Sequence, residues 1–163
     1  MLKNNCLFYS LTLFLLSFSI TLPQEPLEFI KEGNLIWQKC NIGENPIDCT
    51  GEPKKMKWKE AIEACNNLSL SNKKWRLPNL DELRTLIQFK DLKKPNYRDS
   101  CGAENFNLIA GNKRKFPTLQ PFFYWSSTEK KDDTFFALFV DFTNGLSNYN
   151  PTSIRMYVKC ITY

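Results

Sequence analysis

The chain has 163 residues, 22 Lys and Arg against 17 Asp and Glu, no histidine and a formal net charge of +5. The missing imidazole removes the commonest general base and the commonest metal ligand, and with them Ser–His and Cys–His nucleophile pairs. So mild a positive balance permits attraction to acidic polymers but does not mark a nucleic-acid-binding protein.

Lys3 precedes an uncharged, mostly apolar run from Leu7 to Leu22. That run is shorter than the ~20 residues a spanning helix needs. With Ser17, Ser19 and Thr21 near its end, it reads as a cleaved secretory signal peptide over residues 1–22. An uncleaved anchor is the alternative. Residues 23–163, about 140 of them, are enough for one domain with its own core. The mature chain is expected to be exported, whether periplasmic, surface-bound or secreted, with no stable membrane span.

Phe29 to Cys40 reads as a hairpin turning at Glu32, Gly33 and Asn34. Asn41 to Pro53, rich in Gly and Pro, reads as a loop. Trp58, Ala61, Ile62, Cys65 and Leu68 recur at helical spacing and predict a helix over 58–68. A second helix is predicted over 79–89. Asn79 is its N-cap, Glu82 completes a capping box, and Leu80, Leu83, Leu86 and Ile87 form the apolar face. Asp91 to Thr118 reads as a long irregular excursion. Strands are predicted over 123–127, 135–142 and 154–161, with Asn144-Gly145 as a hairpin turn. In the last strand Ile154, Met156, Val158 and Cys160 share the apolar face, and Arg155, Tyr157 and Lys159 the polar one. Early helices followed by antiparallel strands indicate an α+β domain.

Once Cys6 leaves with the signal, five cysteines enter an oxidising compartment, where they tend to pair. Cys65 and Cys160 lie on apolar faces of the first helix and last strand and can meet. A bridge there closes about 95 residues, worth on the order of 4–5 kcal/mol by chain entropy. Cys40 and Cys49 flank a short loop as a local staple, which leaves Cys101 odd.

The motifs in order resemble the Lcl C-terminal domain family, named for a bacterial collagen-like adhesin: GNLIWQKC, CNIGENPIDCTG, WKEAIEACNNL, KWRLPNLDEL, FPTLQPFFYWSST, VDFTNG and YVKC. The family pattern ends in Arg-Cys-Val, where this chain has Lys159, Cys160 and Ile161. The resemblance implies a single domain similar to C-type lectins and to the formylglycine-generating enzyme. In it two helices pack on antiparallel sheets with long irregular loops and disulfide staples. It also implies a surface or periplasmic role, the founding adhesin binding sulfated polysaccharide.

The expected function is that of an exported, non-catalytic binding module, adhesin-like, for an anionic polysaccharide or a surface protein. The candidate ligand surface lies in the irregular segment: Lys93, Lys94, Tyr97, Arg98, Lys113, Arg114 and Lys115, where cations meet anions and aromatic faces meet sugar rings. Trp75, Arg76, Leu77, Pro78, Glu82, Leu83, Trp125, Ser126 and Ser127 carry the family motif and read as structural. Arg76 is expected to bond backbone carbonyls or Glu82. A nucleophilic Ser127 lacks any activating histidine, so a hydroxyl bonded to nearby backbone is expected instead. Asp132, Asp133, Asp141 and Asn144 read as solvated polar groups, not as a calcium site. Neither a metal nor a cofactor is expected. The alternatives are an enzyme working through Cys101 and a structural envelope protein.

Overall fold

The computed structural model describes residues 28–88 and 111–163. The first hairpin forms as its pattern predicts: β1 (Phe29–Glu32) and β2 (Leu35–Gln38) run antiparallel, and Gly33 takes φ +60° at the turn. On the other side of β2 lies β6 (Ile161–Thr162), giving the order β1-β2-β6. A second antiparallel sheet follows later in the chain, from β3 (Phe123–Lys130), β4 (Asp133–Asp141) and β5 (Leu146–Pro151) in that order. Among the described residues, α1 (Trp58–Asn66), α2 (Leu80–Arg84), two three-stranded sheets and two disulfides define an α+β domain.

Both faces of the second sheet are covered near β3. Trp125, Ala137 and Phe139 pack with Trp58, Ala61 and Cys65 of α1. On the other face Tyr124 and Val140 pack with Leu83, Leu86 and Phe116. Three indoles reach backbone carbonyls from inside: Trp58 Nε1 donates to Ser126 O (2.8 Å), Trp75 Nε1 to Leu70 O (3.1 Å) and Trp125 Nε1 to Met56 O (3.0 Å). Buried indole N–H groups usually take such acceptors, and that of Trp37, fully buried, has none among the described residues.

Several expectations change in extent. The second helix stops at Arg84 instead of reaching Phe89. Thr85, Leu86 and Ile87 donate their N–H groups three residues back, so the chain tightens out of the α-helix, and Ile87 then bridges Gly111. The first helix ends at Asn66, with Asn67 as its C-cap. The strand expected over 154–161 shrinks to its end. Instead, Met156 bridges Met56, Tyr157 pairs parallel with Tyr124, and Ile161 bridges Arg76. Each stretch of 154–161 thus pairs with a different partner, and no single ladder forms. Its face assignment changes as well: Ile154 is 43% exposed, whereas Lys159, assigned to the polar face, is fully buried. After Asn144-Gly145 the returning strand is β5, immediately beyond the turn.

Both predicted disulfides are present, with Cα–Cα distances of 5.1 Å for Cys40–Cys49 and 5.4 Å for Cys65–Cys160. No helix among the described residues is long and apolar enough to cross a membrane.

Candidate functional site

The described end of the irregular segment forms a basic turn. Gly111 sits against Ile87, and the Asn112 N–H donates to Leu86 O (3.0 Å). Asn112, mostly buried, then folds the chain back: its Oδ1 accepts from the Lys115 N–H (3.1 Å) and its carbonyl from the Phe116 N–H (2.8 Å). Phe116 is fully buried and meets Trp37 edge-on at 6.3 Å. An anchored turn therefore projects Lys113, Arg114 and Lys115, all exposed. They are not equivalent. The Lys115 ammonium is paired with Glu32 of β1, whereas Lys113 and Arg114 have no ion-pair partner among the described residues.

Two other basic features could not be read along the chain, because their members meet only in the fold. Lys55 Nζ lies 5.1 Å and 5.0 Å from the ring centroids of Phe122 and Tyr157. Lys130 Nζ lies 4.9 Å and 4.2 Å from Phe136 and Tyr149, whose rings are nearly perpendicular. Phe122 and Tyr149 are about half exposed. Strand register makes the second group, since Leu138 opposite Tyr149 sets Phe136 diagonally beside it. No local sequence pattern marks Lys130.

The family-motif residues take structural places. Trp75, Leu77, Leu83 and Trp125 are core, and Pro78 is buried at the entrance to α2. Arg76 grips Glu82 through two bonds, Nη1–Oε2 at 2.8 Å and Nη2–Oε1 at 2.7 Å, and also reaches Leu77 O at 3.4 Å. The Tyr163 hydroxyl contacts both partners. Glu82 closes the capping box with Asn79 in both directions at 2.8 Å. The Arg76 bonds therefore hold the Glu82 carboxyl down at about 2, below its ordinary 4.5, and Glu82 raises the Arg76 guanidinium in return.

The Ser126 hydroxyl donates to Leu138 O (2.8 Å), while Ser127 uses its N–H on Pro78 O (2.7 Å). The expected hydroxyl-to-backbone bond thus falls on Ser126. Asp133, Asp141 and Asn144 each turn a side-chain oxygen onto an N–H two residues ahead, as local turns do. Among the described residues, the group with metal-ligand spacing is Cys40, Glu44 and Cys49. Its sulfurs are bonded to each other, which removes the thiolates a metal would need. Lys93, Lys94, Tyr97, Arg98 and Cys101, with the expected signal peptide, lie outside the described residues.

These features define a disulfide-stapled α+β domain whose motif residues hold the framework, with cations and rings on its surface. The family model for the Lcl C-terminal domain matches residues 31–162, and the chain belongs to that family. A search of the curated proteins returned no match.

Proposed function

We propose that the chain is an exported, non-catalytic binding module of C-type-lectin-like fold that recognises an anionic polysaccharide. The observation that carries this reading is the anchored turn at 112–116, which presents Lys113 and Arg114 without carboxylate partners among the described residues. A turn fixed from inside holds its cations in place before the ligand arrives, which lowers the ordering cost of binding. The Lys55 and Lys130 groups add ammonium–ring surfaces of the same chemistry, with charge for a sulfate or carboxylate and an aromatic face for a sugar ring. The lack of histidine supports a module without general-base chemistry.

Lys113→Ala with Arg114→Ala should weaken binding to a sulfated glycan several-fold and leave the melting temperature nearly unchanged. Lys115→Ala alone should weaken it less, its charge being already answered by Glu32. Binding of the wild type should also fall as salt is raised, because screening acts within about 10 Å at 0.1 M. Surface plasmon resonance on sulfated and neutral glycans at two salt concentrations reads all three. Binding that ignores both the double substitution and salt would reject the electrostatic site.

A further inference from the structure

Among the described residues, the most unusual charged group is Lys159. It belongs to the buried end of the chain, between Val158 and the disulfide-bonded Cys160, all three fully buried. Its Nζ donates to the Lys39 carbonyl at 2.7 Å and lies 5.1 Å from the centre of the Phe116 ring. No carboxylate among the described residues comes within ion-pair distance of it. An ammonium has three donors and a full charge to satisfy. One carbonyl and one ring face leave that charge largely unanswered, and burying an unpaired charge is costly.

Among the described residues, the charged groups around it are few. Across the loop, Glu44 is the carboxylate whose field reaches Lys159, but its oxygens are occupied by the Asn41 N–H (2.6 Å) and Asn41 Nδ2. The Lys39 ammonium points elsewhere, to Ile47 O. Beside Phe116, Lys115 is paired with Glu32. On its own segment Arg155 is paired with Glu60, and the Tyr157 ring stacks on Tyr124 and under Lys55. The Tyr124 hydroxyl donates to Asn41 Oδ1 (3.0 Å), and burial raises its pKa far above the ordinary phenol value.

Lys159 also sits where the Cys40–Cys49 loop is fastened. Its acceptor, Lys39 O, immediately precedes Cys40. The Ile42 N–H donates to Val158 O, the Lys54 N–H to Ile42 O, and Asn41 Nδ2 to Thr118 O. The loop base therefore closes directly over the lysine.

We propose that Lys159 is a proton-sensitive latch: seating the base of the Cys40–Cys49 loop over it disfavours the amine's extra proton, so the loop is held more firmly as the medium becomes more alkaline. A neutral amine still donates to Lys39 O and suits an apolar cavity, which the ammonium does not. Burial accordingly pushes the lysine down to about 7 from 10.5, with Glu44 opposing weakly. The direction follows from linkage. Between those values the open loop binds one more proton than the closed loop, so closing strengthens with rising pH by up to about tenfold per pH unit. Below about 7 both forms are protonated, and the latch is at its weakest and indifferent to pH. The device depends on no ligand, so it stands or falls apart from the binding reading.

Hydrogen exchange followed by NMR between pH 6 and 9 tests it, with each amide corrected for its intrinsic exchange rate. Protection of the Ile42, Cys49 and Lys54 amides should be flat below about 7 and climb above it. In Lys159→Met, which keeps the apolar stem and removes the titrating group, protection should be high and flat throughout. Should that variant not fold, the lysine Cε resonances of the wild type decide the matter. One lysine titrating far below the others supports the latch, and all of them titrating together overturns it. Equal pH slopes for the loop amides in wild type and variant overturn it as well.

Discussion

At the scale of single residues, Glu82 does the most with one side chain. It accepts the Asn79 N–H at the start of α2, takes both nitrogens of Arg76 and meets the Tyr163 hydroxyl. A carboxyl held near 2 instead of 4.5 corresponds to at most about 3 kcal/mol at neutral pH. The Arg76 side chain is 34% exposed, so solvent screening cuts that to roughly 1–2 kcal/mol. The sign follows from the lowered value: this stability is complete above about 4.5 and is lost as pH falls toward about 2. Glu82→Gln should therefore destabilise the fold at pH 7 and hardly at all at pH 2, as urea denaturation at the two pH values would reveal. An equal loss at both would place the residue's contribution in packing instead. The sequence offered Glu82 or backbone carbonyls as partners for Arg76, because the capping box fixes Glu82 against Asn79 but not against Arg76; the fold shows both kinds of contact. Lys159 was not legible. Alternation placed it on a polar face, and only the separate pairings of 154–161 turn it inward.

At the scale of elements, legibility followed apolar content. The hairpin of β1 and β2, the first helix and β4 carry periodic apolar residues, and all appear close to where their patterns put them. The strand β5 reads Leu-Ser-Asn-Tyr-Asn-Pro and has no apolar alternation, since it is an edge strand with little to bury. Its edge is blunted locally: the Tyr149 N–H is bonded to Asn148 Oδ1 (2.8 Å), and Pro151 has no N–H to offer. Such devices discourage edge-to-edge pairing and also hide a strand from pattern reading. The two disulfides differ more in the chain they close than in their local setting. Cys65–Cys160 spans 95 residues and Cys40–Cys49 spans 9. By chain entropy the first contributes about 4–5 kcal/mol and the second about 2.5 kcal/mol. Cys65→Ala with Cys160→Ala should lower the melting temperature more than Cys40→Ala with Cys49→Ala, measured side by side by calorimetry. The reverse ranking would mean that the short loop carries structure beyond its own closure.

At the scale of the whole molecule, one stretch of chain pairs with both sheets, which also share a core around Trp37 and Tyr124. Residues 155–161 bridge Met56 before α1, Tyr124 in β3 and Arg76 before α2, then continue into β6 of the first sheet. The Trp125 N–H donates to Tyr157 O and the Gln38 N–H to Cys160 O, so one strap supplies acceptors to both sheets. Met156, 1% exposed, packs in the core that holds Trp125 and Cys65, whereas Ile161 packs in the one that holds Trp37 and Phe116. A strap shared in this way is expected to couple the two halves into one folding unit. Met156→Ala should cost about 2–5 kcal/mol, as truncations of buried Met do. The loss should appear in both halves at once, although only one core is touched. Backbone amides of β2 and β4, followed by NMR through thermal unfolding, should therefore disappear at one midpoint in the wild type and at one lower midpoint in the variant. Separate midpoints, with β2 persisting after β4 has melted, would show that the sheets are held together by contact and not by the strap.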